Sequence, residues 1–367
     1  MDDVWAVDEV SASSVSGEDA SMPKHWMDSI DLVWKEVGVE INTKKNVDRG
    51  QAEIQGVTLE PRTHLLGASV ERRVRLMASA FLFSGRRWGS VKQLEVLLGR
   101  FGFVHGFQPC LRSIFMDCYS WIATRKSEGR RGGLLPQSVR DEVLLAGLLL
   151  PHASCSLDAP WCPRLECFDA APGGHGRAWS TFDTEVVAEV ARWADSKSAR
   201  TYLFPGPGIE ENAHGRCPLF RVRLPEASWW TEAARKGGRR HITLEEADAG
   251  IWSLEARLRR PTEVGSKVVE GGDNAAQIGA FSRGRSSSRR LNGRCRKACA
   301  VTLGGGLVPF WFWVSTTRNP ADRPSRVFGK DDFCDERRQP MPAAEVPVGV
   351  SVFSQRGCFL SSLLRPG

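Results

Sequence analysis

The sequence predicts a mixed α/β (α+β) chain, a helical unit followed by a unit built on a mixed sheet. Three observations lead there. Residues 68–150 carry three apolar stripes at helical spacing. From residue 164 onward, strand-like segments alternate with helix starts. Four carboxylates of that second region, Asp169, Glu245, Asp273 and Asp322, each stand in a distinct local context.

A length of 367 residues leaves room for two domains, each with its own core. An apolar content of 41% with 25% charged residues is that of a globular chain. The 50 Lys and Arg exceed the 43 Asp and Glu to give +7, which suits an anionic partner such as nucleic acid as well as a merely basic surface. Ten cysteines without a C-x-x-C pair indicate neither a zinc framework nor a disulfide scaffold. His152, Cys155, Cys162 and Cys167 cluster at a spacing that fits no common zinc module, and read as reduced thiols. The longest apolar run, Val143–Leu150, is too short to span a bilayer, and the N-terminus lacks a signal-peptide pattern. The expectation is a soluble intracellular protein away from membranes, nuclear or cytoplasmic.

Taken in order, Asp2 and Asp3 run into the apolar segment Val4–Val7, and residues 8–21 form a polar loop. A helix is expected from His25, with Trp26, Ile30, Val33, Trp34 and Val37 on one face and Gly38 as its stop. Val39–Ile41 is a short strand. Ala52–Leu59 reads as another, in which Gly56 signals close backbone approach. The first stripe of the helical unit is Val74, Met77, Ala80 and Phe81. Ser90 and Gln93 form a capping box for the second helix, whose buried face is Leu94, Leu97, Leu98 and Phe101. A third helix after Pro109 carries Leu111, Ile114, Phe115, Cys118, Trp121 and Ile122. Arg86, Arg87, Lys92, Arg100 and Arg112 read as a solvated basic face.

Residues 151–163, rich in Pro, Cys and Ser, read as a linker. Leu165, Cys167 and Phe168 then lead to Asp169, followed by Gly173, Gly174 and Gly176: a strand carrying one acid, a tight turn and a return strand. Residues 180–240 read as a long irregular connection with a short helix, Val186–Ala194, and a loop at Phe204–Gly208. The next helix opens at His241, where Thr243 and Glu246 form a capping box and Leu244, Ala247, Ile251, Leu254 and Leu258 form the stripe. Glu245 is then free to lean toward Asp169, or to serve as an acid at a helix N-terminus. Asp273 ends the strand begun at Lys267, where α/β sheets gather ligands, or caps the following helix. Arg283, Arg285, Arg289, Arg290, Arg294, Arg296 and Lys297 make the densest positive patch and read as a grip on phosphates. Val308–Val314 is a buried strand. Asn319 and Pro320 start a helix that Pro324 limits to a turn holding Asp322.

The front of the chain resembles a retroelement reverse transcriptase, on Asp2-Asp3, Val39–Asn46, Ile54–Val57 and Ser90–Glu95. The match starts at the Y-x-D-D box of the palm, with Met1 at the x position. Fingers and most of the palm lie outside it, so DNA synthesis is not expected from this chain, and Asp2 and Asp3 are remnants. The rear is similar to ribonuclease H, in particular that of tyrosine-recombinase (DIRS-like) retrotransposons. The matching residues are Asp169-Ala170 with its glycines, His241–Glu245, Asp273-Asn274, Arg283–Ser288, Leu291-Asn292 and Asn319–Arg326. Gly271-Gly272 departs from the apolar residues expected before Asp273 and would loosen that strand. No histidine accompanies the last acid.

The resemblance implies a truncated palm with its hairpin over 1–66, a helical thumb over 67–150, a linker over 151–163, a ribonuclease H-like mixed-sheet domain over 164–326 and a poorly ordered tail over 327–367. It implies that Asp169, Glu245, Asp273 and Asp322 hold two Mg²⁺ or Mn²⁺ ions about 4 Å apart and cleave the RNA strand of RNA/DNA hybrids. Asp169 would bridge both ions. Implied partners are the hybrid or another nucleic acid and a fuller polymerase chain. The alternatives are a module that binds nucleic acid without cutting it, and a functionless remnant.

Overall fold

The computed structural model describes residues 52–54, 56–60, 63–192, 194, 222–223, 229–238, 240–328 and 351–352. Asp2 and Asp3, the helix from His25, the strand at Val39, the loop at Phe204 and most of the tail lie outside them.

The helical unit begins with β1 (Ala52–Ile54) and β2 (Val57–Glu60), an antiparallel pair rather than one continuous strand. Gly56 lies at the turn with φ +80°, a conformation costly for any side chain. β3 (Leu65–Ala68) continues the sheet. Four helices follow: α1 (Val70–Ser84), α2 (Val91–Val104), α3 (Met116–Ser127) and α4 (Gln137–Leu148). Between them β4 (Trp88–Ser90) and β5 (Gly132–Leu134), far apart along the chain, pair antiparallel.

The Ser90–Gln93 capping box opens α2, and Leu94, Leu97, Leu98 and Phe101 are buried as expected. The expected stripe of α1 is shifted. Leu76, Ala80 and Phe83 are its buried residues, while Val74 and Phe81 are exposed. The cause is a close approach to α4: a Cβ on Gly147 would lie 2.8 Å from the Ala80 Cβ, so the packed face is centred on Ala80. Glu142 of α4 accepts the Met116, Asp117 and Cys118 backbone N–H groups at 2.9–3.1 Å, capping α3 from a neighbouring helix.

The stretch expected as a linker is structured. It carries β6 (Ser154–Ser156), which pairs with β3, and the first residues of β7 (Trp161–Ala171). β7 is the central strand of the second unit. It pairs antiparallel with β8 (Gly174–Thr181), which pairs antiparallel with β9 (Trp230–Lys236). On its other side β7 pairs parallel with β10 (Lys267–Gly272), and β10 parallel with β11 (Val308–Trp313). The order β9-β8-β7-β10-β11 is therefore a mixed sheet, and the fold is of the α/β class. β9, within the segment expected to be irregular, escaped the sequence because Thr231–Lys236 lacks β-branched alternation and a bulge separates Thr231 from Ala233.

Alternation along β7 sends Phe168 to one core and Leu165 and Cys167 to the other. The first core includes α6 (Ile242–Leu258), α7 (Ala275–Arg283) and α8 (Arg289–Gly305). The second includes α5 (Thr184–Arg192), with Val187 and Val190 buried, and Ala321. Gly271 and Gly272 do not loosen β10, which stays paired on both edges. A Cβ on Gly272 would fall 2.7 Å from the Phe168 ring, and Gly271 is covered by Phe312. These glycines are seats for two aromatic rings. β11 is only half buried, with Trp311 and Phe312 its inward residues.

Candidate metal centre

Two of the four expected acids meet at one end of the sheet. Asp169 lies on β7, and the Cys167–Gly271 pairing places Asp273, two residues past Gly271, level with it on the parallel neighbour. The third member is Glu246, not Glu245. Asp169, Glu246 and Asp273 each offer an oxygen within 4.8 Å of the others.

The adjacent glutamates of α6 have different surroundings. The helix is capped by His241, whose Nδ1 accepts the Thr243 N–H at 3.3 Å, so the expected Thr243–Glu246 capping box is not the one formed. Glu246 shares a face with Gly250, Ser253 and Arg257, which meet the sheet through Phe168, Glu166 and Glu270. Glu245 is rotated one residue away and is fully engaged. It accepts His175 Nε2–H at 2.9 Å, Gly238 N–H at 2.9 Å, and Arg240 Nε–H and N–H at 2.7 and 3.2 Å. Arg235 donates to His175 Nδ1 at 3.1 Å, which fixes the proton of that ring on Nε2. Burial alone would raise the Glu245 carboxyl, but the Arg240, Gly238 and His175 bonds outweigh it and hold it at about 2. The residues directly flanking the two glutamates do not distinguish them. The signal was the run of small residues, Gly250 and Ser253, on the Glu246 side.

The cluster repels its own charge. Burial and the neighbouring Asp273 carboxylate push Asp169 up to about 7. Burial, Asp169 and Asp273 push Glu246 up to about 10. Asp273 is also raised, by burial and then by Asp322, although Thr316 Oγ1 donates to it at 2.6 Å. Asn274 rather than Asp273 caps α7, accepting the Gln277 N–H at 3.1 Å, and this leaves the Asp273 carboxylate for the cluster.

Asp322 sits outside the triangle, in the single turn α9 (Asp322–Ser325). Its charge still raises Asp169 and Asp273. Arg326 clasps both its oxygens with one guanidinium edge, Nε–H to Oδ2 at 3.0 Å and Nη2–H to Oδ1 at 2.6 Å. Asn319 does not cap this turn by itself. Its Oδ1 accepts the Ala321 N–H, while its Nδ2 donates to Phe168 O at 3.0 Å and Asp169 Oδ1 at 3.3 Å. The hairpin glycines explain how α9 comes so close. A Cβ on Gly176 would lie 2.6 Å from Ala321 O, and Gly174 lies against Ser325 O. The glycine cluster is a bed for the last acid as well as a turn.

Two buried carboxylates and the half-buried Asp273 fit a divalent cation. Glu246 Oε2 is buried without a hydrogen-bond partner, the donors are all oxygen, and each raised carboxyl gains by exchanging its proton for a hard metal ion. Neither thiol nor imidazole belongs to the group. The cysteines among the described residues are free, including Cys155, Cys162 and Cys167.

The expected basic grip is partly consumed by structure. Arg289 pairs with Asp117 at 2.5 Å and Arg294 with Asp248 at 3.1 Å. Arg296 donates to Ser113 O at 3.1 Å, Ile114 O at 2.5 Å and to Glu142. With Asn292 Nδ2 on Ser113 O at 2.7 Å, Arg289 and Arg296 join α8 to the helical unit, while Arg294 ties α8 to α6. Arg285 stacks on Tyr119 at 4.6 Å. Arg283, Arg290 and Lys297 are exposed.

No family model and no curated protein matches the chain. Among solved structures, it is similar to the foamy viral protease-reverse transcriptase dRH in complex with double-stranded DNA, at 12% identity and TM-score 0.32, over 78% of this chain and 42% of that one. The foamy viral protease-reverse transcriptase in complex with an RNA/DNA hybrid matches at 10% identity and TM-score 0.29, over 78% and 53%. The same kind of protein in complex with double-stranded DNA matches at 13% and 0.31, over 68% and 43%. The chain thus spans about half the length of these neighbours. A likeness this distant assigns neither residue nor activity to it. Among the described residues no helix is long and apolar enough to cross a membrane.

Proposed function

We propose that the chain is a metal-dependent endonuclease of the ribonuclease H type that hydrolyses the RNA strand of RNA/DNA hybrids, as part of a retroelement reverse transcriptase. The observation that carries this reading is the buried triangle of Asp169, Glu246 and Asp273 at the end of β7 and β10, with an orphaned carboxylate oxygen. Asp169, Glu246 and Asp273 would hold a first Mg²⁺ or Mn²⁺, and Asp169 with Asp322 a second. Such ions supply Lewis-acid polarisation of a phosphoryl oxygen and lower the pKa of an attacking water. The chain's own part is to hold four carboxylates at strand and helix ends around one point. Thr316 and Asn319 orient Asp273 and Asp169. Glu245 braces the start of α6 through His175 and Arg240, and takes no direct part.

Exposed Arg283, Arg290 and Lys297 supply phosphate contacts beyond the acids, and contacts to 2′-hydroxyls would distinguish RNA from DNA. A module that binds hybrid without cutting it is less well supported, since the basic patch it needs gives Arg289, Arg294 and Arg296 to internal ion pairs. The deciding experiment is cleavage of a labelled RNA/DNA hybrid in Mg²⁺ or Mn²⁺. Cutting should vanish in Asp169→Asn and Glu246→Gln but persist in folded Glu245→Gln. Cutting unaffected by Glu246→Gln would overturn the site.

A further inference from the structure

We propose that Arg326 is a mobile counter-charge of the acid cluster, holding Asp322 while the acids lack a cation and passing its guanidinium to a substrate phosphate once Asp322 turns to a metal ion. This rests on the metal-centre reading above and adds to it a residue that touches substrate.

The geometry separates what is fixed from what is free. The backbone of α9 is pinned: Gly174 and Gly176 let it lie against β8, and Asn319 ties its approach to Phe168 and Asp169. Arg326 follows directly on that pinned turn, yet its side chain is 63% exposed. Its long stem can therefore swing without moving the turn.

The charges supply the reason to swing. Arg326 is bonded to Asp322, whose charge reaches Asp169 and Asp273, so the cation lies within the field of the cluster. Asp322 has its oxygens committed to the fork, and like Glu245 it is an expected ligand that lies outside the triangle. A divalent ion drawn in by Asp169, Glu246 and Asp273 competes with Arg326 for Asp322 and repels it. Arg326 is the exposed partner of the pair and Asp322 is half-buried, so solvent screens the guanidinium side and opening the pair costs little. A freed guanidinium at the mouth of the cluster keeps a planar fork suited to phosphate oxygens as much as to a carboxylate, which an ammonium does not offer.

The test uses the whole chain with Mn²⁺ as probe, followed by calorimetry without nucleic acid, in wild type, Asp169→Asn, Arg326→Gln and Arg326→Lys. Affinity for a 2′-O-methyl RNA/DNA hybrid, which resists cutting, is then measured at saturating Mn²⁺. Arg326→Gln should bind Mn²⁺ roughly two- to fivefold more tightly, the worth of an exposed ion pair removed. It should bind the hybrid roughly tenfold to a hundredfold more weakly, the worth of a charged hydrogen bond. Arg326→Lys should recover only part of the hybrid affinity. Mn²⁺ affinity unchanged or weakened in Arg326→Gln would make Arg326 a simple brace for Asp322 and overturn the proposal. Tighter Mn²⁺ binding with undiminished hybrid affinity would overturn the phosphate contact. Absence of Mn²⁺ binding in wild type, or binding that survives Asp169→Asn, would instead refute the metal centre itself, before either Arg326 variant is considered.

Discussion

Replacing each of the two adjacent glutamates of α6 by glutamine should shift the stability of the metal-free protein in opposite directions. Glu246 is pushed up to about 10 from an ordinary value of 4.5 by burial, Asp169 and Asp273. A carboxyl whose pKa is higher folded than unfolded favours the protonated fold. Stability is fullest below pH 4.5 and falls as pH rises toward 10. At pH 7 the folded protein keeps a proton that the unfolded chain has lost, at an upper limit of about 3 kcal/mol. Asp169 shares the same repulsion, so glutamine at 246 should recover about 1–3 kcal/mol. Glu245 is lowered to about 2, and its stabilisation is present above pH 4.5 and lost as pH falls toward 2. Glutamine there should cost up to about 3 kcal/mol at pH 7. Urea unfolding at pH 7 in EDTA, followed by circular dichroism, measures both. For a chain of this size the melting temperature should move by about 1–2 °C per kcal/mol. Destabilisation of similar size in both variants would refute the assignment of Glu246 to the cluster.

Mn²⁺ binding should tighten between pH 6 and pH 8, because Asp169, pushed up to about 7, must release its proton to bind; calorimetry in buffers of different ionisation heat counts the protons released. Gly176→Ala should cost about 1–3 kcal/mol and abolish cleavage, since the new methyl meets the α9 backbone. Gly293→Ala, in an open position of α8, should stabilise by about 0.5–1 kcal/mol and leave cleavage intact. Arg257→Met should destabilise by about 3–5 kcal/mol, because the fully buried guanidinium balances Glu270 and pairs with Glu263 at 2.9 Å. With burial first and the Glu166 charge also acting, Glu270 already sits at about 7, so the loss should be larger at pH 8 than at pH 6 by denaturant titration.

That buried network was invisible in the sequence. Ser253 Oγ lies 2.8 Å from both Glu166 Oε2 and Glu270 Oε2, yet each residue is remote from the others along the chain. The strands that contain the acids were legible because local patterns mark them: apolar residues leading to Asp169, glycines after it, and a strand end before Asp273. The second helix was legible for the same reason, its Ser90–Gln93 box and stripe both being local. The first helix was misread because Gly147, far along the chain, decides which of its faces packs.

The sequence by itself determined the class of the fold, the helical unit, the strand carrying Asp169 and the acid at the end of β10, since each depends on spacing within a few residues. Only the tertiary structure decided that Glu246 and not Glu245 joins them, that Gly271 and Gly272 seat aromatic rings, and that Arg289, Arg294 and Arg296 close internal ion pairs. One residue of rotation on a helix is about 100°, enough to exchange a carboxylate facing the acid cluster for one locked by an arginine and a histidine. That rotation is set by what the opposite face buries, and so by the whole core rather than by the local sequence.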